Sequence, residues 1–157
     1  MREQASAFHF DTLRFPDDFH PEEKKLYEVA RQAALTAYAP YSGFRVGCAI
    51  RLANGQVVSG SNQENGAYPS GLCAERVALF YAGASHPDVP VTHLFIYALE
   101  ARELVAPCGA CRQVMAETSF RHGQAITIYF PAGSGVWYRI EDATLLLPFA
   151  FRLPSRL

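Results

Sequence analysis

Three cysteines fall at the starts of two separate predicted helices, and one metal held by all three would tie those helix starts together. Cys73 opens the first helix, which runs to about Ala82 and is ended by Gly83 and the Ser85-His86-Pro87 stretch. Pro107 opens the second, a short helix from Cys108 to about Thr118 that begins Cys-Gly-Ala-Cys. Unpaired backbone N–H groups and the positive dipole end at such positions favour a thiolate over a thiol. Thiolates are the form that binds zinc. Cys108 and Cys111 are three apart, so on one helix they face the same way, as a chelating pair must. Cys73 would complete three protein ligands and leave a fourth position for water, the open arrangement of a catalytic zinc.

Glu75 follows Cys73 by two residues, a spacing that does not share a helix face. It is better placed to stand beside a metal and handle protons than to bind it. Arg76, at i+3 from Cys73, can lean back toward the sulfurs. Three thiolates on a divalent zinc leave a net negative charge, which a guanidinium would offset. Plainer readings stand beside these. Cys-x-x-Cys also marks thioredoxin-like redox pairs, although that motif normally follows the first strand of its unit and here lies late. A closed structural zinc site would need a fourth ligand, Cys48 or one of the five histidines. Cys48 lies within Val-Gly-Cys-Ala-Ile, an apolar strand where a buried free cysteine is common. Glu75 and Arg76, without the cysteines, would read as a solvated helix face.

The rest of the chain supplies a frame for these helices. Apolar residues recur at helical spacing from Glu22 to Tyr38, and Pro40 stops the pattern. Val46 to Leu52 reads as a strand, Asn54-Gly55 as a tight turn, and Gln56 to Ser61 as its hairpin partner. His93 to Leu99 reads as a buried strand. Ala125 to Phe130 and Val136 to Ile140 read as two more, separated by Pro131-Ala132-Gly133. A last helical turn near Asp142 to Leu147 precedes a Pro-containing, strongly apolar tail. The order α-β-β-α-β-α-β-β argues for an α/β fold, one mixed sheet with helices on its faces. Residues 1–20 mix Phe8, Phe10, Phe15 and Phe19 with charges and read as an extended arm packed on the body.

Composition narrows the function classes. The 157 residues suit one domain, and 50% hydrophobic with 18% charged residues is a globular balance. The net charge of -1 gives no electrostatic case for nucleic acid or an anionic membrane surface. The longest apolar run, Ala143 to Phe151, is about half of the roughly 18 residues that span a bilayer. The first residues lack a basic patch followed by an apolar stretch, so a secretory signal is not expected. Reduced thiols and a cytoplasmic location follow as the expectation.

With these residues in view, the chain resembles the small, homo-oligomeric cytidine deaminases. The likeness is carried by Cys73-Ala74-Glu75-Arg76 and by Pro107-Cys108-Gly109-Ala110-Cys111-Arg112-Gln113. It extends through Tyr41-Ser42-Gly43-Phe44 with Val46-Gly47, and through Asn62-Gln63-Glu64-Asn65 followed by Tyr68-Pro69. Leu146-Leu147-Pro148 and Phe151 end it. The resemblance implies a three-layer fold with a five-stranded mixed sheet flanked by helices, assembled as a homotetramer. It implies Zn2+ on Cys73, Cys108 and Cys111, with Glu75 shuttling protons and Arg76 donating to the thiolates. Phe44 is implied to pack against the pyrimidine, with Ala74 and Tyr68 also at the substrate, while Asn62 and Glu64 hydrogen-bond the ribose. Phe151 is implied to close over the base from a neighbouring subunit.

The implied activity is hydrolysis of cytidine and 2'-deoxycytidine to uridine and 2'-deoxyuridine plus ammonia, a step of pyrimidine salvage. Arg45 stands where the family often has proline and Gly66 where it often has alanine, both at the substrate end. A related deaminase of another small aminated compound, such as blasticidin S, is the enzymatic alternative; Asn62, Glu64 and Arg76 favour cytidine. A zinc-stabilised scaffold protein is the non-enzymatic one. Polynucleotide editing is disfavoured by the near-neutral charge.

Overall fold

The computed structural model describes residues 9–99 and 101–153. Six strands form one mixed sheet: β1 (Asp11–Arg14), β2 (Val46–Leu52), β3 (Val57–Ser61), β4 (Val91–Ala98), β5 (Thr127–Gly133) and β6 (Val136–Ile140). Their order across the sheet is β1-β6-β5-β4-β2-β3. The helices are α1 (Pro21–Leu35), α2 (Ala74–Ser85) and α3 (Gly109–His122). Side chains alternate along the strands, so the central strands feed two cores. Leu94 and Ile96 of β4 pack with α2 and α3 on one face. Phe95, between them, packs with α1 on the other. The result is the expected three-layer α/β arrangement.

The topology brings the cysteines together. β2 pairs antiparallel with both β3 and β4, so those two strands run in the same direction. Gly47 is opposite Ser61 on one side and Tyr97 on the other, so β3 and β4 end at the same level. The helix after each strand must cross back over the sheet, because β3 to β4 and β4 to β5 are parallel steps. Both crossing helices therefore start at one end of the sheet and on one face. Gly60 lets α2 come down onto β3: a Cβ there would lie 2.7 Å from Ala78 N and 2.8 Å from Ala74 O. Gly47 does the same for α1, whose Ala30 carbonyl fills the space a side chain would need.

The sheet has six strands where the family resemblance implied five. The sixth is β1, from the N-terminal arm, which pairs antiparallel with β6 from Asp11 opposite Arg139 to Arg14 opposite Val136. Arg139 ties it down through Asp11, 2.8 Å away. The arm packs on the body as expected: Phe15 stacks on Tyr27 at 3.9 Å, Phe19 is buried, and Phe10 meets Tyr138 at 4.6 Å. Phe8 lies outside the described residues. Pro131-Ala132-Gly133 does not separate the last two strands but belongs to β5, where the register slips between Pro131 and Gly133. A bulge is where a strand tolerates proline's missing N–H. The reversal falls instead at Ser134 and Gly135, both with positive φ.

One half-buried polar group on the α1 face makes a pH prediction. His93 on β4 faces Arg51 of β2, whose Nη2 lies 2.8 Å from His93 Nδ1, and stacks at 14° on Tyr129 of β5. Burial first, and the Arg51 charge second, lower its pKa to about 4, while Glu23 of α1 opposes them. The unfolded chain takes up that proton near pH 6.5, and the folded chain resists until about pH 4. Stability from this group is complete above about pH 6.5 and is lost as pH falls toward 4. His93→Asn should therefore flatten the dependence of the urea midpoint on pH across that window. An unchanged slope would assign the acid sensitivity elsewhere.

Candidate active site

Cys73 and Cys108 are the N-cap residues of α2 and α3, with extended backbone at both. Neither side chain caps its own helix, which leaves both sulfurs to face each other across the helix starts. Cys73 Sγ lies 3.8 Å from Cys108 Sγ, and Cys108 Sγ lies 3.5 Å from Cys111 Sγ. All three sulfurs sit within 4.8 Å of one another, the one such group of metal-ligating side chains among the described residues. The donors are soft thiols, converging and unoxidised, with Cys111 buried and Cys108 exposed. That set fits zinc, and the exposed side leaves room for a further ligand. Cys48 is not in the group; it is fully buried under the helices, and burial pushes its thiol up.

The thiols share their protons. Hydrogen bonding from Cys111, with help from Arg76 and Cys108, pulls Cys73 down to about 5 against the penalty of burial. Cys111 is pushed up, because its proton is engaged on Cys73 and because it is buried. Arg76 Nη2 points at Cys73 Sγ from 3.7 Å. Its Nε is buried without a hydrogen-bond partner, a donor that a charged thiolate cluster can satisfy. Glu75 is 4% exposed, in the first turn of α2. Burial raises its carboxyl to about 7, and the Cys73 charge adds to that; its own backbone N–H, Cys111 and Arg76 act the other way.

A cleft of about 510 Å³ opens onto Cys73 and Arg76, lined also by Asn62, Glu64, Tyr41 and Tyr68. Asn62 and Glu64 follow β3 and hold the loop that precedes β2. Asn62 Nδ2 donates to Phe44 O at 2.9 Å, and Asn62 Oδ1 accepts from Val46 N at 2.8 Å. Glu64 Oε2 accepts from the Tyr41 and Ser42 amides at 2.9 and 3.3 Å. Glu64 Oε1 pairs with the Ser42 hydroxyl, and that bond, the largest of these effects, lowers the Glu64 pKa. Phe44 is thus fixed through its peptide, with its ring partly exposed. Gly66 matters to the rim: a Cβ there would come within 3.0 Å of Tyr41 Oη.

Phe44 is not among the residues lining this cleft, and two further expected residues stand differently. Ala74 is fully buried with its methyl in the core, so it offers a ligand only backbone, at the start of α2. Phe151 is 67% exposed and does not line this cleft; its peptide is held on α3 by Gln113. Ser42 and Gln113 both belong to motifs that the sequence displays. Their hydrogen-bonding roles span 22 and 38 residues of chain, which no local pattern reports.

Residues 21–127 match the family model described as the cytidine and deoxycytidylate deaminase zinc-binding region, a span that includes all three clustered cysteines. The chain is 38% identical over 130 residues to the cytidine deaminase of Sporosarcina psychrophila, covering 82% of this chain and 90% of that one. It is 40% identical over 125 residues to the cytidine deaminase of Mycobacterium tuberculosis, covering 79% and 85%. The crystal structure of cytidine deaminase from Burkholderia pseudomallei superposes with a TM-score of 0.71 at 39% identity, over 82% of this chain and 98% of that one. These matches cover 85 to 98% of those relatives' own length. The chain belongs to the family of cytidine and deoxycytidylate deaminases that share this zinc-binding region.

Proposed function

We propose that the chain hydrolyses the exocyclic amine of cytidine and 2'-deoxycytidine, releasing uridine or 2'-deoxyuridine and ammonia. The observation that carries this reading is the buried Glu75 beside three convergent thiols, next to a cleft lined by Asn62 and Glu64. Cys73, Cys108 and Cys111 would hold Zn2+, which when bound supplies the Lewis acidity that makes water nucleophilic at neutral pH. Glu75 accepts the proton that the attacking water gives up and delivers it to the pyrimidine ring nitrogen N3, which makes C4 electrophilic. Once oxygen is bonded to C4, the same carboxylate takes the second proton from that hydroxyl and hands it to the amine, so that the C4 carbonyl forms as the C–N bond breaks and ammonia leaves. Arg76 offsets the excess negative charge of three thiolates.

The sugar end has hydrogen-bonding capacity to spare. A carboxylate has about four acceptor sites and an amide nitrogen two donors. Glu64 uses three of its sites on the loop, and Asn62 Nδ2 one of its two N–H groups. The remainder suits two ribose hydroxyls. Phe44 and Tyr68 flank the base, and the Ala74 backbone meets its edge.

The same residues argue for nucleosides over nucleotides. A phosphate brought close to the partly exposed Glu64 carboxylate would meet like-charge repulsion. The kcat/KM for cytidine should therefore exceed that for CMP by at least about tenfold, in a panel of cytidine, deoxycytidine, cytosine and CMP. Comparable values for cytidine and CMP would reject the nucleoside reading.

As part of the same reading, residues 1–157 form one catalytic domain acting in the cytoplasm, in pyrimidine salvage, as a homotetramer with shared sites. Free thiols at all four cysteines support a reducing compartment. Exposed Phe149, Phe151, Phe80 and Tyr81 support burial against further copies. Native mass spectrometry should give the mass of four chains; a single-chain mass would remove the tetramer.

A further inference from the structure

We propose that Gln113 is a positioning residue: it clamps the Phe151 peptide onto α3 and so sets where the Phe151 ring stands. The proposal rests on the reading of Phe151 as the aromatic that closes over a substrate.

The geometry is specific. Gln113 Nε2 donates to Phe151 O at 2.9 Å, and Phe151 N donates to Gln113 Oε1 at 3.0 Å. One side-chain amide thus satisfies both backbone polar groups of one residue, as a neighbouring strand would. The N–H and C=O of a residue point the same way only where the chain is extended. The side chain then stands out from the plane of those bonds, and the Phe151 ring is accordingly 67% exposed. A single hydrogen bond would tether the tail and leave it free to swivel. Two parallel bonds fix the peptide's direction and the ring with it.

Among the described residues, no other side chain does this. Arg112 Nη1 reaches Leu146 O at 3.3 Å, before Pro148, and its Nε holds Pro107 O at 2.7 Å. Beyond Phe151, the Arg152 guanidinium lies 3.2 Å from the centre of the Phe120 ring. These contacts keep the tail on α3 at either side, while Gln113, alone among the described residues, orients the residue between them. Gln113 lies two residues after Cys111, so one helical turn carries both a metal-ligating thiol and the clamp. The placement of the aromatic is thereby referenced to the metal centre of its own chain, whichever site it covers.

Gln113→Met has nearly the same volume and can make neither bond; Gln113→Glu keeps the acceptor for Phe151 N–H and loses the donor. Amide hydrogen exchange in the C-terminal peptide containing Phe151 should be at least about tenfold faster in Gln113→Met. Zinc content should be unchanged. The KM for cytidine should rise by about five- to tenfold with kcat within about twofold, the loss of one to two hydrogen bonds' worth of order. Gln113→Glu should fall between. Adding Gln113→Met to Phe151→Ala should raise KM no further than Phe151→Ala alone.

Unchanged exchange in both Gln113 variants would overturn the clamp. A KM penalty that persists undiminished beside Phe151→Ala would overturn the positioning role, since Gln113 would then act elsewhere. If Phe151→Ala itself leaves KM unchanged, the closing role of Phe151 falls and the positioning claim with it, even where exchange shows the clamp. Absence of cytidine turnover in the unsubstituted chain would instead be a failure of the deaminase reading, and the exchange comparison distinguishes that case.

Discussion

Glu75→Gln is expected to keep its zinc and its fold while losing turnover by at least about 10²- to 10⁴-fold, the usual contribution of a general acid–base group. The substitution changes almost nothing except the ability to exchange a proton. Glutamine matches the carboxyl in size, and at 4% exposure the site has no room for a rearranged side chain. Burying a neutral amide costs less than burying a carboxylate, so the thermal midpoint should not fall. Glu75 is not among the three clustered ligands, so metal content should stay at that of the unsubstituted chain. Zinc analysis, a melting curve and the cytidine assay on one preparation check all three. Turnover within tenfold of normal would show that another group moves the protons.

Cys108→Ala and Cys111→Ala should strip metal, activity and stability together, because the energy of binding a structural ligand set is also folding energy. The two should differ in degree. Cys108 is exposed and leaves no void when shortened, whereas Cys111 is 0% exposed and packs in the core shared by α2 and α3. The Cys111 variant should therefore melt lower than the Cys108 variant even with chelator present, by roughly the 1 kcal/mol that a small buried group contributes. In the unsubstituted chain, chelation should lower the melting temperature; in either variant it should not. Full zinc occupancy in both variants would remove the ligand assignment.

The centre was legible in the sequence because its parts are local. Each helix start carries its own cysteines, and Cys108 and Cys111 face one way by helical spacing alone. That both starts lie at one end of the sheet is a matter of topology, set where Ser61 and Tyr97 flank Gly47. Strand β1 was not legible as a strand. Its four residues, Asp-Thr-Leu-Arg, show no sustained alternation, and its partner Arg139 is 128 residues away. Helix α1 stops at Leu35, short of the expected Tyr38, because Thr36 Oγ1 bonds Ala33 O and Tyr38 N bonds Asn62 O, which draws Tyr38 out of the helical path. Helix α3 runs past Thr118 to His122, where Gly123 at φ 60 ends it. Asn62 and Glu64 look like substrate residues in the motif. Their second task, holding residues 41–46, depends on bonds across 16 to 23 residues that sequence does not display.

Returning zinc to metal-stripped protein tests the central claim most directly. Cytidine turnover should be absent at the start, rise in proportion to added zinc, and level off at one equivalent per chain, with uridine and ammonia formed in equal amounts. Turnover that ignores added zinc, or one tightly bound equivalent with no turnover, would contradict a catalytic centre built from Cys73, Cys108, Cys111 and Glu75.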